Sequence, residues 1–137
     1  MIGIVIVAHG GLAREYLAAM EHVVGRQPGV TAISIGPEDS CRNKQTDIDA
    51  AVAGVDTGDG VVVVTDMFGS TPSNLAMGAC KKANHKVLYG VNLPLLIKLA
   101  KARGMPIDEA IVSALTAGRK YINSIDGFGE DWTPIAL

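Results

Sequence analysis

Met1-Ile2-Gly3-Ile4-Val5-Ile6-Val7-Ala8-His9-Gly10-Gly11 opens the chain, and the fold follows from how this stretch is read. Ile2 to Val7 is continuously apolar and mostly β-branched, as a strand buried on both faces of a parallel sheet requires. From Leu12 the pattern changes: Leu12, Tyr16, Met20, Val23 and Val24 fall on one face of a helix. Strand, Gly10-Gly11 turn and helix make a βα corner with His9 at its lip. In open α/β sheets the carboxyl ends of strands are where ligands collect, and glycines there let another backbone approach closely. An imidazole so placed fits a reactive group, and it fits equally a buried histidine that bonds the next loop.

A second corner favours the reactive group. Val61-Val62-Val63-Val64-Thr65 is another buried strand, and it runs into Asp66-Met67-Phe68-Gly69-Ser70-Thr71-Pro72-Ser73-Asn74. Asp66 therefore ends its strand as His9 ends the first; its alternative is a turn residue bonding its own backbone. Thr71 followed by Pro72 reads as an N-cap and first helical position, opening a helix through Leu75, Ala76, Ala79 and Cys80. The N-terminus of that helix offers unpaired N–H groups and partial positive charge to an anion. Gly69 supplies a flexible approach, and Ser70, Thr71 and Ser73 supply hydroxyls. A histidine nucleophile, a carboxylate to orient it and an anion cradle make a set suited to carrying a phosphoryl group.

The remaining segments place these corners in one architecture. Gly25 to Gly29 breaks the first helix, and Val30 to Ile35 alternates as a strand. Gly36 to Ser40 reads as a plain turn, with Ser40 away from the site, into a helix around Lys44 to Val55 that turns Ile48, Ala51, Val52 and Val55 inward. Lys86 to Val91 is the fourth strand. A helix through Leu95, Leu96, Leu99 and Ala100 follows, halted near Gly104, and Pro106 starts the last helix, with Ile107, Ile111, Ala114, Leu115 and Gly118 on its apolar face. This βαβαβαβα order predicts a single α/β domain, a parallel sheet with helices on both faces. Gly90 to Pro94 would share the edge of His9 and Asp66, so Gly10 and Asn92 are candidate site-lining residues. A plain strand-to-helix turn with Pro94 at the first helical position fits Gly90 to Pro94 equally well.

Composition narrows the function. The chain has 137 residues, enough for one filled core, and its 12 basic and 14 acidic side chains are interspersed for a net charge of −2. No basic run or aromatic–basic stripe suggests nucleic acid as a partner. The apolar start lacks a basic leader and is too short to span a membrane, so it is expected to belong to the fold. Cys41 and Cys80 have no C-x-x-C spacing and are read as reduced thiols, Cys80 buried on its helix. His9, His22 and His85 lack metal-like spacing, so no metal and no other cofactor is expected; His22 and His85 are read as solvated.

Three stretches in order, His9-Gly10, Asp66-x-x-Gly69-x-Thr71-Pro72-x-Asn74 and Gly90-Val91-Asn92-Leu93-Pro94, resemble the IIA component of the mannose-type sugar phosphotransferase system. The likeness covers nearly the whole chain. It implies one domain over residues 1–137 with a four-stranded parallel sheet. It also implies an antiparallel edge strand from the C-terminal region, exchanged between the subunits of a homodimer; Tyr121, Ile122 and Ile125 suit that part. It implies a cytoplasmic phosphotransferase that accepts phosphate on His9 from the phosphocarrier HPr and passes it to a IIB component, touching the membrane only through the sugar permease. Asp66 would orient His9, and Gly69, Ser70, Thr71 and Ser73 would bind the phosphoryl group. The sequence departs from the family where the loop often reads Gly-Gly-Ser-Pro-Phe-Asn, with Ser70 in place of a glycine and Ser73 in place of the aromatic. It also carries Ala8 where a threonine is frequent. Two alternatives stand beside this: a stand-alone regulatory protein signalling by the phosphorylation state of His9, and a tetrapyrrole metal chelatase, which also opens on a strand ending in His-Gly. The first turn lacks the G-x-G-x-x-G of dinucleotide binding, and no G-x-S-x-G elbow is present.

Overall fold

The alternation of side chains along the first strand divides the interior into two cores. A computed structural model describes residues 1–127. In it, β1 (Gly3–His9), β2 (Val30–Ile35), β3 (Val61–Thr65) and β4 (His85–Tyr89) form a parallel sheet in the order β2-β1-β3-β4. Ile4, Ile6 and Ala8 of β1, with Val62 and Val64 of β3, point into one core. There they meet Ala13 and Met20 of α1 (Leu12–Val24), Leu95, Leu96 and Leu99 of α4 (Leu93–Lys101), and Ala110 and Ala114 of α5 (Ile107–Lys120). Val5, Val7, Val61 and Val63 point the other way, onto Ile48 and Val52 of α2 (Cys41–Val55) and Ala76 and Ala79 of α3 (Thr71–Ala79). A strand buried on both faces has no polar positions to spare, hence the unbroken run from Ile2 to Ala8. The chain is a single α/β domain with helices on both faces, as its element order predicts.

That strand order fixes where a site can form. From β1 the chain steps outward on one side to β2, then returns across to β3 and continues to β4. Successive connections therefore part above β1 and β3, at the switch point where open α/β sheets hold their ligands. His9 ends β1, and Asp66 follows the last residue of β3.

Several local expectations are corrected. On α1, Leu12 and Val23 are exposed, and the buried stripe runs instead through Ala13 and Met20. Helix α2 begins at Cys41 rather than near Lys44, because the Ser40 hydroxyl accepts the Asn43 N–H at 3.4 Å and caps it. Cys80 is the C-cap of α3 and only partly buried. Residues 121–127 form no strand, and residues 128–137, where the expected exchanged strand continues, lie outside the described part.

His85 is also not solvated. Strand β4 starts at His85, opposite Val61, and this draws the ring under the sheet beside Asp56, the C-cap of α2. The His85 side chain is 5% exposed, with Nε2 2.9 Å from Asp56 Oδ2. That oxygen also accepts from Lys82 Nζ at 3.2 Å, while Asp56 Oδ1 accepts the Gly58 N–H at 3.0 Å. These bonds, from His85 first, then Gly58 and Lys82, hold the Asp56 carboxyl well below the usual carboxylate range. A depressed folded-state pKa stabilises the fold above the unfolded value, and that contribution fades as pH falls through the folded one. Stability is therefore expected to decline below about pH 4. Asp56→Asn should flatten that acid limb in denaturant titrations at several pH values; superimposable limbs would remove Asp56 from the account.

Candidate functional site at the switch point

Gly10 sets the site's entrance. Its φ of +55° lies in the left-handed region, and its N–H donates to the Ile35 carbonyl at 2.9 Å. The chain thereby leaves β1 abruptly, and His9 remains on the lip with its side chain 49% exposed. Asp66 comes from the neighbouring strand end, and its side chain is 11% exposed. Its Oδ2 accepts the His9 backbone N–H at 3.0 Å and lies 2.7 Å from His9 Nδ1. Burial by itself pushes the Asp66 carboxyl up, but the His9 backbone N–H and imidazole together outweigh it and hold the group below its ordinary value. Asp66 is thus a carboxylate and can only accept, so Nδ1 is the nitrogen that donates to it, and in the neutral ring Nε2 is the one with the lone pair. Neither alternative applies: His9 is not buried, and Asp66 binds the histidine rather than serving only its own turn.

The helix beside them is capped differently from expectation. Ser70, not Thr71, is the N-cap of α3. Its Oγ accepts the Ser73 N–H at 3.5 Å and donates to the Met67 carbonyl at 2.7 Å. Ser73 Oγ accepts the Ser70 N–H at 3.1 Å and donates to the Ser70 carbonyl at 2.9 Å. This capping box engages two of the three hydroxyls expected in an anion cradle. Thr71 sits one residue into the helix, exposed, with no hydrogen-bond partner for its hydroxyl among the described residues. Ser70→Ala is accordingly expected to lower stability by about 1 kcal/mol, and Thr71→Val to change it by less than about 0.5 kcal/mol. Chemical denaturation of the two variants decides it; the reverse ranking would return the cap to Thr71.

His9, Gly10 and Thr71 line one cavity of about 280 Å³. Its far wall comes from the loop after β2 and the start of α2: Ile35, Gly36, Pro37, Asp39, Cys41 and Lys44. Sequence reading missed this wall and took the Gly36–Ser40 turn as remote. The signal lay in the fold itself, since β2 pairs with β1, from Ile4 with Val30 to His9 with Ile35, and must deliver its carboxyl end to the same edge. Asn92, expected to line the site, does not line this cavity. Its Oδ1 accepts the Leu95 N–H at 3.0 Å and caps α4, while its Nδ2 donates to the Gly118 carbonyl at 2.9 Å and clasps α5. Gly90 to Pro94 is the plain strand-to-helix turn, with Pro94 second in α4 rather than first.

These features define an α/β domain organised around one oriented imidazole at a sheet switch point. The chain belongs to the EIIA-man family, described as the PTS system fructose IIA component, whose pattern matches residues 3–115. It is 31% identical over 127 residues to the PTS system mannose-specific EIIAB component of Escherichia coli strain K12, a match covering 90% of this chain and 39% of that relative. The chain thus spans well under half of the length of that longer protein. Among solved structures, phosphotransferase system component EIIA from Streptococcus agalactiae superposes with a TM-score of 0.81 at 27% identity, covering 90% of this chain and 97% of that one. The mannose/sorbose-specific IIA subunit from Enterococcus faecalis gives a TM-score of 0.81 at 26% identity, covering 98% of each chain. The mannose-type IIA resemblance read from the three motifs is thereby established, and the chelatase alternative falls with it.

Proposed function

We propose that this chain carries a phosphoryl group on Nε2 of His9, taking it from a phosphohistidine of HPr and passing it to a IIB component. The observation that carries this reading is the 2.7 Å contact between His9 Nδ1 and Asp66, which leaves Nε2 as the available nucleophile of a residue that lines the cavity. In the transfer, the Nε2 lone pair attacks phosphorus while the phosphorus–nitrogen bond to the donor imidazole breaks, and the donor nitrogen keeps that electron pair. One phosphoramidate replaces another, so the step runs close to equilibrium. Positive charge develops on the His9 ring as the bond forms, and the Asp66 carboxylate, accepting the Nδ1–H hydrogen bond while the proton stays on the ring, stabilises it. Phosphoryl transfer is mainly positioning and electrostatics, and Thr71, which lines the cavity, would offer its hydroxyl to the phosphoryl oxygens. Gly69, Ser70 and Ser73 support the reading by shaping and capping the loop that presents Thr71.

The same reading makes residues 1–137 one IIA domain that works in the cytoplasm as a homodimer. An apolar groove of about 370 Å³ along β4, lined by Val87, Tyr89, Leu115 and Ile122, supports pairing with a second copy. No helix among the described residues is long and apolar enough to cross a membrane; contact with the permease would be indirect. Incubation with phosphorylated HPr, followed by phosphorus NMR and acid lability, tests the proposal. A phosphohistidine signal is expected on this chain, and the absence of any transfer would end the proposal.

A further inference from the structure

Lys44 lines the cavity that holds His9 and Thr71, and its ammonium is held there without a hydrogen bond among the described residues. The start of a helix favours acidic side chains. Yet α2 has no acidic residue in its first turn, and Arg42 and Lys44 follow its cap instead. The Lys44 side chain is only 25% exposed, a restraint on a long flexible cation that a purely solvating role does not require. Its ion-pair partner is Asp39 Oδ2 at 3.8 Å, beyond hydrogen-bond distance. That oxygen is already engaged by the Gly36 N–H at 2.6 Å. Among the described residues the ammonium has three donor hydrogens and no hydrogen-bonded acceptor. It is also, among the described residues, the one lysine or arginine on the cavity wall.

We infer that Lys44 is the counter-charge for the phosphoryl group on His9, an inference that rests on the carrier function proposed above. Bonding phosphorus to Nε2 brings close to two negative charges into a cavity whose wall already holds the Asp39 carboxylate. The Lys44 ammonium swings from Asp39 to donate to the phosphoryl oxygens, with no proton transferred and no covalent bond made by Lys44. Asp39, braced by the Gly36 N–H, keeps the cation in the cavity between transfers. The site is therefore built from both neighbours of β1: Asp66 and Thr71 follow β3, and Lys44 follows β2.

Single-turnover transfer from phosphorylated HPr to the full chain tests this. Lys44→Gln should accept the phosphoryl group roughly ten- to a hundredfold more slowly, as loss of one charged donor predicts, while Lys44→Arg stays within about threefold of wild type. Lys86→Gln, at the opposite end of the sheet, should leave the rate unchanged. In the wild-type chain, the Lys44 ammonium NMR resonance should shift on phosphorylation and those of Lys81 and Lys82 should not. This last measurement needs no variant to fold. A Lys44→Gln rate equal to wild type, or an unmoved Lys44 resonance on a chain phosphorylated at His9, overturns the assignment of Lys44 alone. A wild-type chain that takes no phosphoryl group from HPr overturns the carrier reading on which it stands.

Discussion

His9→Gln is expected to reduce phosphoryl acceptance from HPr to background, a loss on the order of 10⁴-fold or more, as removal of a nucleophile predicts. No other histidine can take over. His22 is exposed on α1, away from the switch point, and His85 is buried at the far end of the sheet against Asp56. The substitution should leave the fold in place. Asp66 is tied to residue 9 partly through the backbone N–H, which any side chain retains, and the His9 side chain is half exposed rather than part of either core. Circular dichroism and thermal unfolding should therefore match wild type while the phosphorus NMR signal disappears. Normal labelling of His9→Gln would place the acceptor elsewhere and remove the basis for assigning Asp66 and Lys44 their roles.

The two residues proposed to carry the chemistry were legible in the sequence because buried parallel strands are its strongest pattern. Ile2 to Ala8 and Val61 to Thr65 each form a buried run, and the first residues beyond them are His9 and Asp66. Strand order was not legible, since periodicity says which face of a strand is buried but not which strand lies beside it. Once β2 pairs with β1, the loop at residues 36–41 must border His9, and Lys44 enters the site with it. The cap of α3 was misplaced for a different reason. Ser70, Thr71 and Ser73 all suit a helix start, and only the reciprocal Ser70–Ser73 bonding picks out the cap and leaves Thr71 for the cavity. Asn92 stands outside the cavity and His85 away from solvent because of tertiary contacts with Gly118 and Asp56, both more than twenty residues distant, which no local pattern contains.

Asp66→Asn is expected to slow transfer by at least roughly 10²-fold, and by as much as about the 10⁴-fold that follows when a carboxylate fixing a histidine tautomer becomes an amide, while the protein stays folded. The amide oxygen fits where Oδ2 stands and can still accept the His9 backbone N–H, so the corner should persist. The negative charge that holds the Nδ1 proton and stabilises the charging ring is lost. If the amide turns its nitrogen toward the ring instead, it donates to Nδ1, moves the proton to Nε2 and removes the nucleophilic lone pair. Either orientation slows the reaction. Because the folded-state pKa of Asp66 is depressed, its charge is retained at and above the ordinary carboxylate range, so the difference between the two proteins should persist across neutral pH. Rapid-quench measurement of transfer to both proteins near neutral pH checks the claim. An Asp66→Asn rate within about threefold of wild type would reduce Asp66 to a turn residue, because a carboxylate that orients the nucleophile is worth far more than that.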